Sequence, residues 1–264
     1  MENKKGFSNQ DFGSMLDQYS YCLNPGDIVA GTIFNKEANG FLVDIGANIA
    51  GYLPIEEISL ITDIKKKRLD FDLINETREF FILAYNKQLH QLILSIKRLE
   101  YIRAWKRIKQ FEEENILFNI NINNINKGGL ITYLEGLKSF IPNSHIAKLQ
   151  NNNSFLNNKL KCKLLIANEQ LNQIILSHKC ALIYMFAKQF KIGDVIIGEI
   201  VKIQKYGIFI KVHDIIALLH ISEISNQRVD NIYKTFEIGK KIKVKIIHID
   251  IKQGRLSVSR LNIN

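Results

Sequence analysis

In the carboxy-terminal third of the chain, apolar residues come in short runs with a period of two. In Lys241-Ile-Lys-Val-Lys-Ile-Ile-His-Ile, residues Ile242, Val244 and Ile246 alternate with Lys241, Lys243 and Lys245. That alternation puts an aliphatic set against a core and a lysine set in water. Residues 195–203, 207–212, 216–220 and 255–259 read as four further strands with turn residues between them. Five short strands of this kind predict a small closed or nearly closed barrel of the OB-fold type. Two other stretches have helical spacing. One carries Ile96, Leu99, Ile102, Trp105 and Ile108, and the other, 178–189, carries Ala181, Leu182, Met185 and Phe186. Both read as amphipathic linker helices, and the stripe assigns Trp105 to packing rather than to an exposed role.

The strand pattern repeats. Gly26, Gly31 and Gly40 answer Gly193, Gly198 and Gly207 at an offset of 167. Gly51-Tyr-Leu-Pro-Ile-Glu-Glu-Ile-Ser59 answers Ala217-Leu-Leu-His-Ile-Ser-Glu-Ile-Ser225 at 166, and Leu92-Ile-Leu-Ser95 answers Leu256-Ser-Val-Ser259 at 164. A shrinking offset is what deletions in loops between fixed strands leave. A fainter middle copy runs through Gly129-Leu-Ile-Thr-Tyr-Leu, Ser139-Phe-Ile-Pro142 and Ile174-Ile-Leu-Ser177, with Ile120 where the outer copies have Gly31 and Gly198. The expected architecture is mainly β, three tandem five-stranded barrels joined by short helices. Its expected parts are an extension (1–24), barrel 1 (25–95), a helix (96–112), barrel 2 (113–178), a helix (179–190) and barrel 3 (191–262).

The 264 residues carry a net charge of +10, unevenly spread. Residues 25–95 hold seven basic and ten acidic side chains, a balance of −3, whereas 191–264 hold thirteen and seven, a balance of +6. A basic barrel attracts polyanions, although charge alone is equally compatible with a solvated surface. No apolar run is long enough to span a bilayer, and the first residues lack the apolar segment of a secretion signal. Cys22, Cys162 and Cys180 are far apart and form no C-x-x-C pair, so neither a zinc site nor a disulfide framework is expected. Phosphate loops, H-E-x-x-H pairs and G-x-S-x-G elbows are missing, and the histidines lie in separate segments, so no enzyme, metal or cofactor is expected. Heavy use of Ile, Asn and Lys suggests an A/T-rich coding genome such as an organelle's.

Aromatic residues sharpen the reading of barrel 3. Tyr206 and Phe209 are three apart, so strict alternation sends them to opposite faces. A bulge at Gly207 would bring both rings outward while Ile208 and Ile210 enter the core. Two outward rings near lysines make a platform on which unpaired bases stack. Tyr206-Gly-Ile-Phe209, Leu218-Leu-His-Ile-Ser222 and Asp250 followed by Gly254-Arg-Leu-Ser-Val-Ser259 resemble the S1 RNA-binding domain. Three such units joined by helices, over about residues 20–262, are similar to the ribosomal protein S1 family of cyanobacteria and plastids.

The resemblance implies RNA contacts by Tyr206, Phe209, His220, Asp250 and Arg255. Tyr206 and Phe209 would stack on bases, His220 would stack or hydrogen-bond, and Arg255 would meet phosphate. Asp250 would orient Arg255 or accept a hydrogen bond from a base or ribose, with Lys205 and Lys211 adding attraction. The matching positions of barrel 1 are Asn39, Leu42, Pro54, Asn86 and Gln91, and those of barrel 2 include Lys127 or Gly128, Ile131 and Pro142. Both lack the contact set, so barrel 1 is expected to meet protein. The implied role is a small-subunit ribosomal component in a plastid stroma, with a bacterial cytoplasm as the alternative. Its partners would be single-stranded mRNA and the proteins and rRNA of that subunit, without a membrane. The rival role is an RNA-binding accessory of a nuclease, transcription or initiation complex.

Overall fold

The computed structural model describes residues 23–47, 49–60, 73–86, 91–147, 159–225, 232–261 and 263. The extension through Cys22 lies outside them. The chain divides into two compact units between Arg103 and Ala104. The first holds one barrel, whose strands are β1 (Ile28–Glu37), β2 (Gly40–Asp44), β3 (Gly51–Pro54), β4 (Thr77–Asn86) and β5 (Gln91–Ser95). They close in the order β1-β2-β3-β5-β4. Ile33, Phe41, Val43, Leu53, Phe80, Ile82, Leu92 and Leu94 fill its interior.

The second unit holds the other two repeats. Its last barrel closes in the same order, from β12 (Val195–Gln204), β13 (Gly207–Val212), β14 (Ile215–His220), β15 (Lys241–Asp250) and β16 (Arg255–Ser259). The five strands expected there are present, with ends shifted by at most one residue. The middle repeat runs through β6 (Leu117–Asn121), β7 (Asn124–Asn126), β8 (Gly129–Leu134), β9 (Leu137–Pro142), β10 (Lys159–Asn168) and β11 (Gln173–Ser177). Its ladder reads β6-β10-β11-β9-β8-β7, so the two ends of the sheet are consecutive pieces of one broken first strand. The barrel therefore closes through residues 122–123 rather than through an unbroken ladder.

Glycine positions explain both the repeat and this break. A Cβ at Gly198 would lie 2.4 Å from Ile210 Cγ2, and one at Gly31 would lie 2.7 Å from Val43 Cγ1. At these points a long strand is pressed onto the side chains of its neighbour, and only glycine fits. The middle repeat has Ile120 there, its side chain buried, and the strand gives way two residues later. The break is closed by Asn123 N–H donating to Ile131 O (3.1 Å) and Thr132 Oγ1 donating to Asn121 O (2.7 Å). A second glycine is kept in all three repeats. Cβ atoms at Gly40, Gly129 and Gly207 would sit 2.6, 2.1 and 2.4 Å from the carbonyl oxygens of Leu53, Ile141 and Leu219.

The serine that ends each repeat is also structural. Ser95, Ser177 and Ser259 are buried, and their Oγ atoms accept from Arg98 N (2.7 Å), Cys180 N (3.1 Å) and Leu261 N (3.1 Å). The first two cap helices α1 (Ile96–Glu113) and α2 (His178–Ala187), the segments read as helices from their spacing. Trp105 is buried, as its place on the stripe implied, but Ile102 is 37% exposed. A spacing of three falls back by about 60° per step, so five such residues cannot share one face. Ile96 and Leu99 bury in the first turns, Ala104, Trp105 and Ile108 in the later ones, and Ile102 falls between the two faces. Ion pairs divide in the same way: Arg103 with Glu79 in the first unit, Arg107 with Glu135 (2.9 Å) and Lys109 with Glu169 (2.5 Å) in the second.

Helix α2 packs on the last barrel, where Ile183 and Phe186 join its core. Burial pushes the Cys162 thiol up to about 12 and raises that of Cys180, so both are inert packing groups. Gly207→Ala is expected to destabilise the second unit by about 1–3 kcal/mol, because the added methyl must displace the Leu219 carbonyl. Denaturant unfolding of the full chain measures this, and unchanged stability would mean that the two strands are not so closely pressed.

Candidate nucleic-acid interface

Strand register decides which side chains share the outer surface of the last barrel. Ile208, Ile210, Ala217, Leu219, Leu256 and Val258 face inward, so the residues between them face out. Phe209 pairs with Lys202 on one side and Leu218 on the other, Leu218 with Ser257, and Ser257 with His248. One outer row thus crosses all five strands as Lys202, Phe209, Leu218, Ser257 and His248. Asp250 and Arg255 pair on the same outer face, while His220 pairs with Gly207.

The two rings meet edge to face, with centroids 6.2 Å apart and planes at 88°. Tyr206 is 51% exposed and Phe209 half-buried. Both point outward as expected, but not through a bulge at Gly207. Tyr206 belongs to the turn before β13, where alternation does not bind it, and Gly207 pairs regularly with Gln204 and His220. The bulges lie instead at Val201 in β12 and Ile247 in β15. Each reverses the alternation of its strand, and so they turn Lys202 and His248 to the outer face that the rings share.

Tyr206, Phe209, Lys202, Arg255, Leu218 and Ser257 line one cleft of about 620 Å³, whose other wall is α2 with Lys179, Leu182 and Ile183. The remaining expected contacts are not among its lining residues. His220 is exposed, and its Nδ1 accepts from Ser222 N (3.3 Å) and lies 2.8 Å from Ser222 Oγ, which leaves Nε2 to carry the proton of the neutral ring. Asp250 Oδ1 accepts from Gln253 N (2.9 Å), closing the turn between β15 and β16, and among the described residues no ion pair joins Asp250 to Arg255. Lys205 is exposed in the turn with Tyr206. Lys211 lines a different groove, with Ile197, Gly198, Glu199, His213 and Lys241.

Lys202 and His248 escaped the sequence reading because a bulge leaves no mark in an apolar-polar pattern. The corresponding outer rows of the other repeats are uncharged. In the first barrel the row is Asn35, Leu42, Tyr52, Ile93 and Ala84. In the middle repeat it is Asn124, Ile131, Phe140, Ile175 and Ile166. Among the described residues no three His, Cys, Asp or Glu side chains group as metal ligands, and no helix is long and apolar enough to cross a membrane.

Closed five-stranded barrels of this winding, one with an aromatic-cationic outer row, define a protein of tandem S1-type modules. Accordingly, residues 23–97 and 189–261 match the S1 RNA binding domain. The chain is 51% identical to small ribosomal subunit protein bS1c of Pyropia yezoensis, over 98% of this chain and 97% of that one. It is 48% identical to the bS1c protein of Porphyra purpurea, over 98% and 97%. To small ribosomal subunit protein bS1A of Synechocystis sp. it is 41% identical, over 96% of this chain and 77% of that one. The chain belongs to the bS1 family of small ribosomal subunit proteins.

If the outer row is an RNA surface, Lys202→Gln removes one phosphate partner without touching the core. The log–log salt slope for single-stranded RNA should then become shallower by about 0.7. An unchanged slope would show that Lys202 meets no phosphate.

Proposed function

We propose that this chain is a plastid small-subunit ribosomal component that holds single-stranded mRNA on its last barrel and helps recruit it for translation. The observation that carries this reading is the outward-facing Tyr206–Phe209 pair in a cleft shared with Lys202 and Arg255. Flat rings accept any base, and the neighbouring cations meet the adjoining phosphates. Arg255 presents its guanidinium at the cleft, with no carboxylate partner among the described residues. His220 offers Nε2–H at its edge, Lys205 extends the positive turn, and Lys211 acts from the next groove. Asp250 shapes the site by holding the turn that presents Arg255.

The domain plan of the sequence fits this division of labour: an extension to 24, barrels over 25–95, 113–178 and 191–262, and helices between them. The uncharged outer row and acidic balance of 25–95 suit a protein contact on the ribosome rather than RNA capture. The role is non-catalytic and needs no cofactor. The names of the bS1c relatives support the plastid assignment.

Two measurements test this reading. Phe209→Ala should weaken binding of unstructured RNA by about 1–3 kcal/mol, and indifference to the change would remove the stacking role. The full chain should co-sediment with small ribosomal subunits after a moderate salt wash. Release into the soluble fraction would favour an accessory factor of a nuclease, transcription or initiation complex instead.

A further inference from the structure

The outer row of the middle repeat has Phe140 but neither an aromatic pair nor a cation, yet the repeat carries a charged surface of a different kind. Alternation along β10 turns Lys159, Lys161 and Lys163 to its outer side while Leu160 and Cys162 are buried. Alternate residues on a strand lie about 6.6 Å apart, comparable with the separation of successive phosphates along a nucleic acid strand. Lys159 and Lys161 pair with Asn121 and Asn119 of β6, both exposed, so amide donors flank the lysines.

A fourth cation joins from the end of α2, where Lys188 is the C-cap residue. Lys163 Nζ and Lys188 Nζ lie 4.8 and 4.7 Å from the centroid of the same ring, Tyr184. The ring thus contacts two like charges, and among the described residues no carboxylate pairs with either of them or with Lys159 and Lys161. Uncompensated cations gathered at a fixed spacing are a surface for a polyanion.

Comparison among the repeats favours the same conclusion. The last barrel has the identical stripe in identical register, Lys241, Lys243 and Lys245 on β15, with Lys245 opposite Ser259 as Lys163 is opposite Ser177. The first barrel has Thr77, Glu79 and Phe81 there, with Phe81 opposite Ser95 and Glu79 already engaged by Arg103. A stripe kept merely to solvate a strand has no reason to be basic twice and absent from the acidic repeat.

We propose that the middle repeat binds the sugar-phosphate backbone of single-stranded RNA on a track formed by Lys159, Lys161 and Lys163 of β10 and Lys188, the residue that caps the end of α2. The track rests on the reading of the chain as an RNA binder but is independent of the stacking role of Phe209. It favours no base sequence, because its cations meet phosphates, which every sequence carries alike. The amphipathic Tyr184 ring fixes the ammonium groups of Lys163 and Lys188 and lowers the cost of ordering them.

The test uses the full chain and a polyuridine of about 30 nucleotides, titrated over a range of salt. Changing Lys159, Lys161 and Lys163 together to Gln should make the log–log slope shallower by about 2, since each phosphate contact contributes about 0.7. Changing the same three to Arg should keep the slope, and both variants should unfold thermally like the parent chain because Lys159 and Lys161 are exposed and Lys163 is only half-buried, outside the core. Phe209→Ala should weaken binding and leave the slope unchanged. A parental slope in the triple Gln variant overturns the track alone. Loss of the Phe209 effect alone overturns the stacking reading, and failure of the parent chain to bind overturns both. A triple Gln variant that binds RNA normally but leaves the small subunit would make the stripe a protein contact, which also overturns the track.

Discussion

A ring of five short strands closes only if its longest strands bend sharply, and that constraint generates the functional surface. In the last barrel, β12 and β15 each take one extra residue, at Val201 and Ile247, and each bulge reverses the alternation beyond it. The first barrel has its bulges at the equivalent Phe34 and Leu83. The same bend therefore exists in both barrels, and what differs is the residue delivered outward after it. In the first barrel these are Asn35 and Ala84, in the last Lys202 and His248. A shared backbone device thus yields an uncharged surface in one place and a cationic one in another.

Close packing fixes the rest of the frame. Gly40, Gly129 and Gly207 let one strand approach the carbonyl of its neighbour, and Gly207 does so directly beside Tyr206. The aromatic turn is held at the other end by Ile221 N–H donating to Tyr206 O (3.0 Å). The rings are presented by rigid elements rather than by a loose loop, which reduces the entropy lost when a base stacks on them. The terminal serines fasten the end of each repeat to the residues just beyond it, and through Ser177 the cap orients α2, the second wall of the cleft.

Much of this frame can be read from the chain. Period-two runs locate all five strands of the last barrel, the glycine offsets expose the repeats, and the terminal Ser95, Ser177 and Ser259 mark where barrels end. What pattern alone does not reveal is anything that depends on register. The bulges hid Lys202 and His248, and they also replaced the kink expected at Gly207. Asp250 and Arg255 look like an ion pair because they face each other across a hairpin, but the turn takes the carboxylate for its own amide. Ile102 shows the same limit in a helix, where spacing by threes drifts off any single face. The break at residues 122–123 comes from Ile120, a substitution visible in the sequence whose consequence only packing displays.

The functional reading turns on a flexible RNA strand lying along the outer row of the last barrel. Ultraviolet crosslinking of the full chain to 4-thiouridine RNA, with the attached peptides identified by mass spectrometry, examines that placement directly. Attachment is expected within the segments that carry Lys202 to Leu218 and His248 to Ser257. Crosslinks concentrated on the face of the first barrel that bears Leu42 and Tyr52, with none on the last barrel, would contradict it.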